Sequence, residues 1–374
     1  MSTKTEVKEQ LAVRKLAPNA HEHPDAQADS QPAVLSKIAQ QLKAKPFIPH
    51  PSFVGSHAQT FAAYYWPRGF LKRAHRRDEL RIFEVEPGVR FLAHCRWQKD
   101  RVKHPTLILV HGLEGSSTSV YMLGTAAKAF DAGFNVVRMN LRTCGKTEHL
   151  TPTLYHGGLM GDLLFVIREL VERDHLSQIF LLGFSLGGNM SLMLAGEDPD
   201  RVPHELMGIC AVSPTIELGP CSDAIERREN WHYKWSFMRS MRNRVRRKRK
   251  FFPDLYDTKG LRSIHTMRDF DARYTVADGG FENVDDYYER ASSLRVIQHI
   301  RTPTLIIHAQ DDPLVPFDAF RDPSILENPY IIFLLTERGG HVGFVGANTA
   351  GEDRFWVENR AVEFCKLLRE HSTP

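Results

Sequence analysis

No stretch of the 374 residues reaches eighteen consecutive apolar positions, so the sequence offers no candidate for a membrane-spanning helix. Its first residues, MSTKTEVKEQLAVRKLAP, lack the apolar core of a secretory signal. Cysteine is scarce. Cys95, Cys144, Cys210, Cys221 and Cys365 are odd in number, widely spaced and never in a CxxC pair. That excludes a disulfide framework and a cysteine zinc cluster, and it fits a reducing compartment, so a cytoplasmic protein is expected. An excess of one charge is lacking too: 49 Lys and Arg against 45 Asp and Glu leave +4, too little to imply nucleic acid. What is present suffices for a folded core, with 42% hydrophobic and 25% charged residues.

Residues 1 to about 45 are polar and carry no sustained apolar period, which predicts a mobile arm with a short helix near 34–42. His21 and His23 in that arm are expected to face solvent rather than hold a metal. The core begins later. Residues 80–85 and 89–97, joined by Glu86-Pro87-Gly88, read as a hairpin, its second arm alternating Val89, Phe91, Ala93, Cys95 and Trp97 with polar positions. From residue 106 the pattern changes. Apolar runs at 106–110, 134–139, 178–182, 206–212, 304–308 and 330–335 stand among helical stretches at 120–132, 159–173, from 186 and at 355–370. Runs apolar on both faces and separated by helices predict an α/β fold, a mostly parallel sheet covered on both sides. The rhythm breaks between Pro214 and Ile300, in an aromatic, basic, helix-like stretch. The expected organisation is therefore an arm at 1–45, a core at 46–213 and 301–374, and a helical cap inserted at 214–300. Such an insertion belongs on the carboxyl edge of the sheet, where α/β sites lie.

Three segments carry chemistry. Gly183-Phe184-Ser185-Leu186-Gly187 lies between an apolar run and a helix, the context of a nucleophile held on a sharp strand-to-helix turn. The flanking glycines keep the helix close to the strand. A serine nucleophile needs a base, and the base needs a carboxylate to orient it. Asp311 and Asp312 follow the run 304–308, and Asp312, before Pro313-Leu314-Val315-Pro316, is the expected acid, with Asp311 bonding the loop. His341, in Glu337-Arg338-Gly339-Gly340-His341, follows the last run and is the expected base. The order serine, acid, histidine is the one this architecture uses. The loop His111-Gly112-Leu113-Glu114-Gly115 lacks the lysine and spacing of a phosphate loop. The backbone N–H groups of Leu113 and Leu186 are the expected donors to an oxyanion, and His111 is expected to be structural. No cofactor and no metal is expected.

A basic run occupies the cap: Arg239, Arg242, Arg244, Arg246, Arg247, Lys248, Arg249 and Lys250, with Trp231, Trp235, Met238, Met241 and Val245 at roughly helical spacing. The principal expectation is a solvated outer face of the cap. Weak peripheral contact with an anionic membrane through residues 231–250, from Trp231 to Lys250, is the functional alternative.

Together these residues resemble the α/β-hydrolases, and specifically the YheT-like branch, the AB-hydrolase-4 family, over about residues 45–370. Ser56-His57-Ala58-Gln59-Thr60 resembles the family's His-x-Gln-Thr motif, and Asn140-Leu141-Arg142-Thr143-Cys144-Gly145 its Asn-x-Arg-Gly-Cys-Gly loop, with Thr143 in place of the usual glycine. Ser213-Pro214 resembles its post-strand turn. In the cap, Phe270-Asp271, Thr275, Gly280-Phe281, Asp286-Tyr287-Tyr288 and Ala291-Ser292-Ser293 follow the family's order. Residues 146–155 depart from it. The resemblance implies a nucleophile at Ser185, an acid at Asp312 and a histidine at His341, acting on carboxylic esters of acyl or lipid-like compounds. Acyl transfer to an alcohol or amine at the same site, and a non-catalytic lipid-binding or scaffolding role, are the competing readings.

Overall fold

The continuous apolar runs become the inner strands of an eight-stranded sheet in the computed structural model, which describes residues 30–68 and 78–372. The strands are β1 (Glu79–Glu86), β2 (Val89–Arg96), β3 (Thr106–Val110), β4 (Asn135–Met139), β5 (Ile179–Phe184), β6 (Leu206–Val212), β7 (Thr304–Ala309) and β8 (Ile331–Thr336). Their spatial order is β1-β2-β4-β3-β5-β6-β7-β8. The hairpin and its junction with β4 are antiparallel, and every pairing from β4 to β8 is parallel. All five residues of β3 and all six of β5 are buried, which is why these strands read as unbroken apolar runs rather than alternating ones.

The two faces of the sheet nonetheless separate by period two. Ile108 and Val110 join one hydrophobic cluster, and Leu107 and Leu109 the other. Five helices pack the two faces: α1 (Ser30–Lys43), α3 (Val120–Asp131), α4 (Met160–Glu172), α5 (Leu186–Glu197) and, at the end of the chain, Trp356–Ser372. Between α1 and the hairpin lies α2 (Ser56–Tyr65). Helix α5 is buried at every position from Leu186 to Gly196, so it is covered on all sides rather than amphipathic.

The N-terminal expectation needs correcting. Helix α1 is not part of a mobile arm: Leu35, Ile38 and Leu42 are buried in the same cluster as β3 and the C-terminal helix. Their spacing of three and four residues sets one apolar stripe against the core, too short a signal to stand out from the polar sequence around it. His21 and His23 lie outside the described residues.

Between β6 and β7 the chain forms a helical layer, including α6 (Leu218–Glu226), α7 (Trp231–Phe251) and α8 (Val284–Arg290). This layer has its own core of Tyr233, Met238, Met241, Val245, Tyr256 and Phe270. The basic run is not a uniformly solvated face. Arg244 and Lys248 sit on the buried stripe of α7, while Trp231 and Trp235 are exposed. Lys248 Nζ donates to the main-chain oxygens of Glu148, Thr151 and Thr153, and Arg244 pairs with Glu114 at 2.6 Å. Each ion is taken inside because a partner is waiting for it. Among the described residues no helix is long and apolar enough to cross a membrane.

Candidate active site

The strand order reverses direction between β3 and β5, and the crevice at such a point is where open α/β sheets place ligands. The loop His111–Gly115 leaves β3 there, and Ser185 leaves β5. Ser185 has φ 53° and ψ −118°, a conformation a non-glycine residue holds only when its surroundings impose it. They do: Ser185 N–H donates to Val212 O at 2.8 Å, and its carbonyl accepts from Asn189 N–H at 3.1 Å. The two glycines permit the close approach. A Cβ on Gly183 would collide with the Gly187 carbonyl, and one on Gly187 would come within 2.5 Å of Val110 O.

His341 and Asp312 are brought to this serine from β8 and β7. His341 Nε2 lies 3.0 Å from Ser185 Oγ, and His341 Nδ1 lies 2.8 Å from Asp312 Oδ2. The other oxygen, Asp312 Oδ1, accepts from the N–H groups of Leu314 (2.9 Å) and Val315 (3.0 Å). Burial alone would raise the Asp312 carboxyl, but His341, His308 and these backbone donors together hold it below the ordinary carboxylate range. An ionised Asp312 accepts the hydrogen of His341 Nδ1 and leaves the Nε2 lone pair facing the serine hydroxyl. Asp311 is turned away and accepts from Gly340 N–H at 2.9 Å.

Leu113 and Leu186 flank Ser185 in the wall of one cavity. Among the described residues, neither of their backbone N–H groups finds a protein acceptor. His111 is fully buried beneath the loop. Its Nε2 accepts from Leu141 N–H at 3.1 Å, so Nδ1 donates to Gly112 O at 2.7 Å, and burial pushes its pKa down to about 4. It is a neutral strut. The cavity, or cup, measures about 80 Å³, well below the roughly 300 Å³ at which ordinary small-molecule pockets begin. Among the described residues no cluster of three or more His, Cys, Asp and Glu side chains could hold a metal.

Several supporting residues carried no role in the sequence reading. Gln59 bonds Val345 through both ends of its amide, Nε2 to the carbonyl at 3.2 Å and Oε1 to the N–H at 2.7 Å. Thr60 Oγ1 accepts from His341 N–H at 2.9 Å, and Ser213 Oγ from Val342 N–H at 3.2 Å. The Ser56–Thr60 motif was visible; that it clamps the histidine loop was not. Glu114 was equally silent. Its carboxylate pairs with Arg244 and accepts from Tyr155 Oη at 3.2 Å, tying the loop of Leu113 to α7. Thr143, which departs from the glycine that the resemblance implies, has φ 68°, a conformation glycine holds without strain, and a buried hydroxyl with no partner among the described residues.

Comparison with known proteins gives a consistent picture. The sequence matches the family model of the alpha/beta hydrolase fold over residues 105–345. It is 30% identical over 329 residues to the esterase candidate YheT of Escherichia coli (strain K12), a match covering 87% of this chain and 94% of that one. It is 31% identical over 283 residues to a monoacylglycerol lipase of Saccharomyces cerevisiae, and 28% identical over 247 residues to the phospholipase ABHD3 of Mus musculus. The chain spans 60% of the length of each of these two. Among solved structures, the Pyrococcus furiosus esterase Pf2001 superposes with a TM-score of 0.51 at 17% identity, over 80% of this chain and 95% of that one. At that identity the likeness concerns the fold.

Proposed function

Because this chain belongs to the alpha/beta hydrolase family, in the branch that contains YheT, we propose that it is a serine carboxylesterase acting on acyl esters. Ser185 Oγ attacks the ester carbonyl carbon while His341 Nε2 takes the hydroxyl proton. Asp312 fixes the imidazole tautomer and stabilises the cation that forms. The negative charge that develops on the carbonyl oxygen is met by the N–H groups of Leu113 and Leu186. Collapse of the tetrahedral species breaks the bond to the alkoxide, which leaves with the proton from His341, and the acyl group stays on Ser185. Water, deprotonated by the same histidine, then releases the carboxylic acid. The helical layer at 214–300 acts as the cap that walls this reaction, and the oxyanion loop is tied to it through Glu114 and Arg244.

The observation that carries this reading is the continuous chain of contacts, 3.0 Å from hydroxyl to imidazole and 2.8 Å from imidazole to carboxylate, at a serine held in a strained turn. The printed activities of the relatives, a monoacylglycerol lipase and a phospholipase, favour ester chemistry. The size of the cup favours short acyl groups over long ones. Any membrane contact would fall to exposed Trp231 and Trp235 and the outward cations of α7, since Arg244 and Lys248 are turned inward. The test is hydrolysis of p-nitrophenyl esters graded by chain length, with fluorophosphonate labelling of the same preparations. Ser185→Ala should abolish labelling and lower turnover by about 10⁶. Equal rates for wild type and variant would overturn the assignment.

A further inference from the structure

The cup beside Ser185 is not lined by apolar groups alone. Leu113, Leu186 and Leu218 form part of its wall, but the polar residues Ser222, Arg244, Asp271, Thr275 and Tyr288 line the same space. The backbone explains how two of these come together. Residues Asp271–Thr275 form a turn of π-helix, a rare conformation concentrated at functional sites, and it brings the Thr275 hydroxyl onto the Asp271 carboxylate. Thr275 Oγ1 donates to Asp271 Oδ1 at 2.6 Å, and Tyr288 Oη donates to Asp271 Oδ2 at 2.9 Å. Since the single Tyr288 proton is committed there, the Ser222 hydroxyl at 3.1 Å donates to Tyr288.

This carboxylate is under-satisfied. It has about four acceptor sites, of which two are used, and no cationic side chain among the described residues reaches ion-pair distance of it. The nearby guanidinium of Arg244 is engaged elsewhere, 2.6 Å from Glu114 Oε1. Burial pushes the Asp271 carboxyl up to about 6 against the hydrogen bonds from Thr275 and Tyr288, a sign of how little water serves it. A plain alkyl group filling this space would leave the acceptor unmet, whereas a hydroxyl offers it a partner.

We infer that the polar wall of the cup reads a free hydroxyl on the part of the ester that enters it, Asp271 accepting the hydroxyl hydrogen, so that the preferred substrates are short esters of hydroxy acids or of polyols. The inference rests on the esterase reading above and narrows its substrate class. The acyl and alcohol sides of the ester are two sources of the same hydroxyl, and the experiment separates them.

The test measures kcat/KM at neutral pH for two matched pairs: ethyl butyrate against ethyl 3-hydroxybutyrate, and butyl acetate against 4-hydroxybutyl acetate. The ratio within a pair is the readout, so a general loss of activity does not enter it. A hydrogen bond to a charged group should give a ratio of about 10 to 100 in one pair for the wild type. Asp271→Leu should bring that ratio to about threefold or less, and Asp271→Asn, which keeps the shape with one acceptor oxygen, should lower it at least threefold. Fluorophosphonate labelling of Ser185 reports that each variant is folded and keeps the two readings apart. A wild type that labels and hydrolyses the plain esters with both ratios near one would overturn the hydroxyl inference and leave the esterase standing. So would variants that keep the wild-type ratio. A wild type that neither labels nor hydrolyses any of the four esters would remove both.

Discussion

Replacing Asp312 by asparagine changes one atom, and the structure dictates how the new amide must sit. Asp312 Oδ1 accepts from two backbone N–H groups, Leu314 at 2.9 Å and Val315 at 3.0 Å. An asparagine NH₂ turned toward them would set donor against donor and leave both buried groups unpaired, so the amide oxygen takes that side. The NH₂ then faces His341 Nδ1, where Oδ2 now lies at 2.8 Å. Imidazole can accept from it only with Nδ1 bare, which moves the ring hydrogen to Nε2. Ser185 Oγ, 3.0 Å away, is then met by a donor and cannot give up its proton. A wrong tautomer with the geometry intact lowers turnover by about 10⁴ in the worked serine-protease case, equivalent to about 5 kcal/mol. The expectation for Asp312→Asn is a loss of that order in p-nitrophenyl butyrate hydrolysis, measured per labelled active site, with the fold retained because both backbone caps survive. Asp311→Asn is the control: its amide oxygen can still accept from Gly340 N–H, and turnover should stay within about threefold of wild type. Activity of Asp312→Asn within tenfold of wild type would refute the tautomer argument.

Helix α1 supplies a second expectation: Ile38 is fully buried between the sheet and the C-terminal helix, so Ile38→Ala should cost about 2–4 kcal/mol in urea denaturation. An unchanged midpoint would mean that α1 is not part of the cooperative unit. A third concerns Asp271, whose pKa rises from 3.8 to about 6 through burial. Between those values the native state keeps a proton that the unfolded chain has lost, so this group's contribution falls as pH rises through the window and stays low above it. The full difference is about 3 kcal/mol. Asp271→Asn removes it, and the stability of the variant relative to wild type should therefore increase from pH 4 to pH 7; parallel stability curves would contradict the assignment.

What was legible in the sequence follows from which physical signals are local. The strands β3 to β8 announced themselves because burial on both faces forces unbroken apolar runs, and Ser185 because its turn tolerates only glycine at 183 and 187. Asp312 and His341 could be singled out from their positions after β7 and β8, and the structure brings both to Ser185. The helical layer between β6 and β7 was legible only as an interruption. Arg244 and Lys248 read as surface cations because their partners, Glu114 and the carbonyls of residues 148–153, lie 95 to 130 residues away in sequence. No periodicity encodes a pairing of that kind. Asp271 was visible only as a letter in a motif, since a π-turn has no sequence period of its own. Helix α1 was half legible: its existence was expected, but three apolar residues in a polar segment did not reveal that it docks.

The distribution of backbone strain shows why the arrangement of Ser185, Asp312 and His341 depends on more residues than those three. Eight non-glycine described residues have positive φ, and seven of them, Glu114, Thr143, Lys146, Ser185, Ser213, Val342 and Phe344, lie in loops that leave β3, β4, β5, β6 and β8 at the carboxyl edge of the sheet. Such conformations cost on the order of 1–3 kcal/mol each and persist only where neighbours over-determine them. The over-determination is specific here. Tyr155 and Arg244 hold Glu114, Val212 and Asn189 hold Ser185, and Ser213 Oγ receives Val342 N–H while Thr60 receives that of His341. Gln59 closes the system by bonding Val345 on both sides. A loop left to relax would drop into an ordinary φ and swing its side chain away. Residues with no chemistry of their own are therefore what keeps His341 3.0 Å from Ser185, and the motif at Ser56–Thr60 is accounted for by that mechanical task.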